Sequence, residues 1–200
     1  DGTDIGEISA DGTVTVKGVG DVTVLAEKAG DANYKAASVQ WSFNTEKANP
    51  EVGQVTFSGD TIYSTTDPAD VQLERTGSIA GELKLQDGTV FTPGTGEYIW
   101  VFVPTDTEHY NTVSGAVTLE VAADPAVSLE VSGAPEKTEY SYRDTFDPTG
   151  LTAEVTYASG AVREIPISGF DVVYENGDFF RIGDESVTLT YNYDGGKVSF

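Results

Sequence analysis

Apolar residues recur at alternate positions over short runs of this chain and almost nowhere at helical spacing. Val14-Thr-Val16, Val22-Thr-Val24, Val117-Thr-Leu-Glu-Val121 and Val127-Ser-Leu-Glu-Val131 all interleave apolar with polar side chains, the period of a half-buried strand. Asp11-Gly12, Asp87-Gly88, Asn176-Gly177 and Asp194-Gly195 punctuate these runs and supply the positive-φ residues that tight hairpins need. Many short strands joined by such turns predict an all-β chain of the sandwich type.

The densest aromatic stretch, Gly94-Thr-Gly-Glu-Tyr-Ile-Trp-Val-Phe-Val-Pro-Thr-Asp-Thr-Glu-His-Tyr110, has a counterpart earlier in the chain. A shift of 76 residues lays Asp11-Gly-Thr-Val14 on Asp87-Gly-Thr-Val90, Gly18 on Gly94, Gly20 on Gly96, Tyr34 on Tyr110 and Ser38 on Ser114. The same shift lays Val22, Val24 and Ala26 on Tyr98, Trp100 and Phe102, and Trp41 and Phe43 on Val117 and Leu119. Self-similarity at a fixed period marks repeated modules. The repeat predicts three domains: residues 1–47, the closing part of a domain that lacks its opening strands; residues 48–123, a complete unit; and residues 124–200, a unit of different internal pattern. Short proline-ended linkers, Lys47-Ala-Asn-Pro50 and Ala122-Ala-Asp-Pro125, stand between them. Half a sandwich exposes its core and its strand edges, so residues 1–47 are expected to lean on a neighbouring domain or on another copy of the chain. The sequence starts without methionine or a leader-like apolar stretch, and an internal fragment of a longer protein is expected.

The two copies also indicate which face is buried. Tyr98, Trp100 and Phe102 share one face of their strand, and Ile99, Val101 and Val103 the other. In the first copy the aromatic set becomes Val22, Val24 and Ala26, whereas the other set becomes Thr23, Leu25 and Glu27. The consistently apolar set belongs to the core. The aliphatic set then faces outward, where it can meet a neighbouring domain.

Residues 126–200 begin with the turn-rich Asp144-Thr-Phe-Asp-Pro-Thr-Gly-Leu151, followed by the alternating Leu151-Thr-Ala-Glu-Val-Thr-Tyr157 and a hairpin at Ser159-Gly160. Ile165-Pro-Ile167, Phe170-Asp-Val172, Val187-Thr-Leu-Thr-Tyr191 and Lys197-Val-Ser-Phe200 complete the pattern. At these residues, with Tyr157 and Gly160, the chain resembles the group 3 bacterial Ig-like family. Ile8-Ser-Ala-Asp-Gly-Thr-Val-Thr-Val16 with Gly20-Asp-Val-Thr-Val24 resembles the closing half of the group 2 family, and the Gly96 to Tyr110 unit resembles Ig-like repeats of Gram-positive surface proteins. The resemblance implies tandem Ig-like β-sandwich domains joined by short linkers, in exported or wall-attached proteins. It brings no catalytic residues, because the family motifs are structural. Some Gram-positive Ig-like domains carry a Lys–Asn isopeptide bond; Lys84 is the one lysine of residues 48–123, and no asparagine is marked as its partner.

Charge narrows the partners. The 33 acids and 11 bases give a formal charge of −22, spread along the whole chain. Phosphate backbones and anionic bilayers are repelled by such a surface, so nucleic acid and membrane insertion are poor expectations. No apolar run approaches the ~18 residues of a spanning helix. The absence of cysteine removes disulfides and thiolate zinc sites.

Catalysis finds little to work with. His109, the only histidine, sits in a turn beside Tyr110, whereas nucleophilic catalysis needs a base converging with a nucleophile. Asp144 and Asp147 are the carboxylate pair considered for glycosidic acid–base work, but their turn positions suit capping of backbone amides. Calcium is the one cofactor with residues of the right type, at Glu175-Asn-Gly-Asp178 and Asp184-Glu185, although no spaced Asp-x-Asp-x-Asp-Gly loop occurs. Tyr140, Tyr142, Tyr191 and Tyr193 are the candidate ligand-facing residues for a glycan, since exposed aromatics stack on sugars; the alternative is ordinary half-buried sheet packing. Tyr34 and Tyr110 resemble a tyrosine whose hydroxyl ties down a sandwich corner.

The sequence therefore points to non-catalytic, extracellular spacer modules of a larger bacterial surface or secreted protein, with neighbouring domains as partners. The alternative is a carbohydrate- or protein-binding, adhesin-like module beside a surface enzyme, its partner a glycan or a host or cell-surface protein.

Overall fold

A computed structural model describes residues 5–200. Its strands, in chain order, begin with β1 (Gly6–Ile8), β2 (Val14–Val16), β3 (Gly20–Lys28), β4 (Ala37–Thr45) and β5 (Val55–Phe57). Next come β6 (Ile62–Tyr63), β7 (Leu73–Arg75), β8 (Gly81–Leu85), β9 (Gly94–Pro104), β10 (Val113–Ala122) and β11 (Ala126–Gly133). The last are β12 (Leu151–Tyr157), β13 (Val162–Ile165), β14 (Asp171–Tyr174), β15 (Val187–Tyr193) and β16 (Gly196–Ser199). Among the described residues the helical pieces are two short 3₁₀ turns, Pro68–Asp70 and Ile167–Gly169. The chain is all-β, as its alternation predicts.

Contacts gather it into two units. One takes residues up to Ser58 with Gln72–Asp87 and Tyr98–Val117; the other takes Gly59–Val71, Gly88–Glu97 and Thr118–Phe200.

In the first unit β1–β2, β3–β4, β5–β7 and β8–β9 are antiparallel pairs. Phe102 is the deepest side chain, with no exposed surface. Leu83 stands opposite it on β8, and the Arg75 guanidinium lies 4.2 Å from its ring centroid. Gly81 touches the same ring so closely that a Cβ there would collide with it. Tyr98 is buried with Phe102, while Trp100 is half-buried, its ring over Gly115 and its Nε1 donating to the Ala116 carbonyl at 3.1 Å. Ile99 on the opposite face is 43% exposed. The aromatic face is thus the inner one, as the repeat predicts.

The first copy shares this geometry without the burial. β3 and β9 end at positions 76 apart, and β3 pairs β4 with Val22 opposite Phe43, Val24 opposite Trp41 and Ala26 opposite Val39. Opposite residues of a pair share a face, so these six form one apolar surface. Trp41 and Val39 remain 64% and 68% exposed on it. Tyr34 is 70% exposed, and among the described residues neither its hydroxyl nor that of Tyr110 has a hydrogen-bond partner. The expected corner tie is not formed; Tyr34 is fixed instead through its backbone, which donates to Asp31 Oδ1 at 2.9 Å.

In the second unit β6 pairs parallel with the end of β10, Ile62 opposite Val121. Two three-stranded antiparallel sheets, β11-β12-β13 and β14-β15-β16, enclose one core in which Ala153, Val155 and Tyr157 of β12 meet Phe170, Leu189 and Val198. This is a β-sandwich. Gly196 of β16 lies against the Ala126 backbone of β11, leaving no room for a Cβ.

Burial makes a direct forecast for the two aromatic positions. Phe102→Ala should cost about 3–5 kcal/mol, whereas Trp41→Ala should change stability by less than about 1 kcal/mol. Urea unfolding of both variants measures the contrast; a large loss for Trp41→Ala would show that its face is covered in solution.

Candidate functional site

The four candidate tyrosines fall in two separate places within the second unit. Tyr140 and Tyr142 line a cleft of about 480 Å³ together with Phe146, Phe180 and Arg181. Tyr140 is held firmly: its hydroxyl accepts from the Asp147 amide at 3.1 Å, and its ring lies 4.4 Å from Phe180. Tyr142 is 60% exposed and meets Phe179 edge-on at 5.9 Å. Tyr191 and Tyr193, two apart on β15 and so on one face, stack at 6.3 Å with an interplanar angle of 4°. They line a hollow of about 370 Å³ with Ser64, Thr65, Phe91, Tyr157 and Arg163. Much of their surface is spent on packing: Tyr191 against Phe170 at 5.2 Å, and Tyr193 against Tyr157 at 5.4 Å. Burial, then the hydrogen bond to Tyr191, pushes the Tyr157 phenol well above its ordinary value.

A fully buried polar group lies elsewhere, in Ala122-Ala-Asp-Pro125, the segment that the sequence reads as a linker. Asp124 has no exposed surface. Its Oδ1 accepts the Ser159 amide at 2.7 Å, and its Oδ2 accepts the Ser159 hydroxyl at 2.7 Å and the Thr65 hydroxyl. Its own amide donates to Asp194 Oδ2 at 3.0 Å, the oxygen that also takes the Ser64 hydroxyl. Asp194 reaches this point from the β15–β16 turn, where it adopts φ +49° ahead of Gly195 at φ +81°. The Ala158 amide donates to the Pro125 carbonyl at 3.0 Å, and Arg163 donates to the Thr65 carbonyl.

The other linker, in the first unit, is fastened by a related device. The Ala48 amide donates to the His109 carbonyl at 2.8 Å, the Asn111 amide to the Ala48 carbonyl at 2.9 Å, and Asn111 Nδ2 to Asn49 Oδ1 at 2.9 Å. Lys47 Nζ donates to the Thr107 carbonyl at 2.6 Å. Both linkers end in Asx-Pro, at Asn49-Pro50 and Asp124-Pro125, which holds the residue before proline extended and leaves its side chain free to bind another segment.

No catalytic arrangement assembles at the residues considered for it. His109 Nδ1 lies 2.8 Å from Asp106 Oδ2, inside the turn whose carbonyl holds Ala48. Asp144 accepts the Ser141 amide at 3.0 Å and Lys137 Nζ at 2.9 Å, and both hold its pKa below the ordinary value, the amide first. Asp147 accepts the Thr149 hydroxyl at 2.6 Å and amide at 3.0 Å, with the same effect. A glycosidic general acid needs a raised pKa, and neither carboxyl has one. Glu175 and Asp184 are tied to Ser186 at 2.7 Å and Asn176 at 2.5 Å, so hydrogen bonds bring the two calcium-candidate turns together. Among the described residues no three His, Cys, Asp or Glu side chains gather as a metal site. Lys84 pairs with Asp87 at 2.9 Å.

Asp124 carries a pH consequence. Burial alone would raise its pKa, but the hydroxyls of Thr65 and Ser159 and the Ser159 amide outweigh it and hold the pKa below the ordinary value. A carboxyl with a lower pKa folded than unfolded adds stability above the unfolded value, about 3.9. That contribution vanishes as pH falls through the folded value. Asp124→Asn should therefore cost about 1–3 kcal/mol at neutral pH, and the gap to the parent should shrink on acidification. Denaturant melts at both pH values measure it; a pH-independent gap would contradict the ionised carboxylate.

Comparison with known proteins agrees with this architecture over the last part of the chain. No curated protein and no solved structure matches the sequence. Among the described residues no helix is long and apolar enough to cross a membrane. Residues 134–200 match the family model of the bacterial Ig-like domain, group 3, so the sandwich over those residues is similar to the domains of that family.

Proposed function

We propose that this chain is a non-catalytic spacer of a larger bacterial protein, secreted or displayed at the cell surface, built from consecutive Ig-like units at 1–47, 48–123 and 124–200. Its partners are then the neighbouring domains of that protein. A spacer transmits position only if its joints resist bending, and an ordinary short linker keeps several rotatable bonds per residue. The observation that supports the reading is Asp124, fully buried in Ala122-Ala-Asp-Pro125 and bonded to both Thr65 and Ser159. The group 3 match over residues 134–200 fits the same role. The group 2-like and Gram-positive repeat resemblances of the earlier segments extend the reading to the whole chain.

Paired spin labels test the joint, and the lack of cysteine makes labelling clean. Labels placed by Asp70→Cys and Lys197→Cys should give one narrow distance distribution. Adding Asp194→Ala should broaden it while β-sheet circular dichroism is kept. A broad distribution in the parent would sink the stiff-joint reading.

A second reading, glycan recognition, is favoured by one specific feature, the aromatic cleft at Tyr140 and Tyr142.

A further inference from the structure

The surroundings of that cleft break the charge pattern of the molecule. Residues 124–200 hold 14 acids and 5 bases, yet Arg143 and Arg181 both stand 5.3 Å from the centroid of the Phe179 ring. Among the described residues neither guanidinium has an ion pair or a side-chain hydrogen bond. In a chain with three acids for every base, two cations that share one ring and form no ion pair among the described residues are unexpected. Two acids beside them are already engaged, Asp144 with Lys137 at 2.9 Å, and Asp184 with Asn176 at 2.5 Å and the Arg181 amide at 2.8 Å, while Asp184 and Glu185 also line the cleft.

The two arginines are placed by backbone geometry. The Arg143 amide donates to the Phe180 carbonyl at 2.9 Å, and the Phe180 amide returns a bond to the Asp144 carbonyl at 2.9 Å. Arg143 itself sits at φ +75°, a region that side-chain-bearing residues rarely occupy. The Arg181 guanidinium lies against Gly177, at φ +135°, where a Cβ would come within 2.9 Å of it. Arg181 also lines the cleft of about 480 Å³ beside Tyr142.

We propose that Arg143 and Arg181, set against Phe179 beside the Tyr142 cleft, recognise a carboxylate-bearing sugar. Guanidinium forks match carboxylate geometry. The exposed Tyr142 ring offers an apolar face for a pyranose, and the cleft falls in the range that holds small ligands. A short acidic saccharide needs only the local pair of charges. An extended polyanion, such as an acidic peptide or a nucleic acid, would instead run over a surface of net charge −22, at distances where about 8 Å of screening still leaves repulsion.

Calorimetry on the full chain with trigalacturonate, neutral galactotriose and hexaglutamate peptide tests this. Trigalacturonate should bind, with galactotriose at least about tenfold weaker. Arg143→Asn, which keeps a residue tolerant of positive φ, and Arg181→Gln should each weaken trigalacturonate about tenfold at unchanged melting temperature. Lys197→Gln, which removes a base elsewhere, should leave binding intact. Should Arg143→Asn fail to fold, Arg181→Gln decides alone. The proposal is overturned by absent trigalacturonate binding, by equal binding of galactotriose, by affinity that survives Arg181→Gln, or by tighter binding of hexaglutamate, which would assign the arginines to a protein partner.

Discussion

A buried carboxylate with a full set of donors is the constraint on which the organisation of the second unit depends. Removing a charge from water is costly unless each lone pair is matched, and Asp124 is matched by two hydroxyls and an amide drawn from residues far apart in sequence. Its satisfaction requires Thr65, Ser159 and the Asp194 turn to occupy one place together. The linker therefore has one conformation in which it is stable, and any rotation about it strands a charge. Hydrogen bonds of this kind specify geometry more than they add stability.

The close approaches at Gly196 on Ala126 and at Gly81 on Phe102 exist because those positions lack a Cβ. They let neighbouring strands or rings reach contact distances that any larger residue would forbid. Phe102 and Val155, each without exposed surface, then fill space defined by backbone rather than by side-chain adjustment. The β3–β4 ribbon shows the converse: the same alternation of apolar positions, with Trp41 and Val39 left in solvent.

The cleft and the joint differ in chemistry. Around Asp124 every polar atom has a partner, as suits a structural weld. Around Phe179 two arginines share one ring without an ion pair among the described residues, and the proposed site rests on that feature.

Much of this was legible from residue order. Alternation of period two fixed the all-β class, because a pleat exposes successive side chains on opposite faces. The 76-residue repeat assigned Tyr98 and Phe102 to the inner face, because the face that stays apolar in both copies is the buried one. Asp-Gly and Asn-Gly pairs located hairpins such as that at Asp194-Gly195, since few other residues accept positive φ. Asp124 read only as linker and Tyr34 as a corner tie, and nothing in the residue order singled out Arg143 or Arg181. Asp124 depends on Thr65, 59 residues away, and Arg143 on the distant Phe179 ring, where pairing is set by the sandwich topology rather than by local spacing. Sequence decides what a strand can bury; only the folded chain decides which distant hydroxyl meets a buried carboxylate and which arginines come to share a ring.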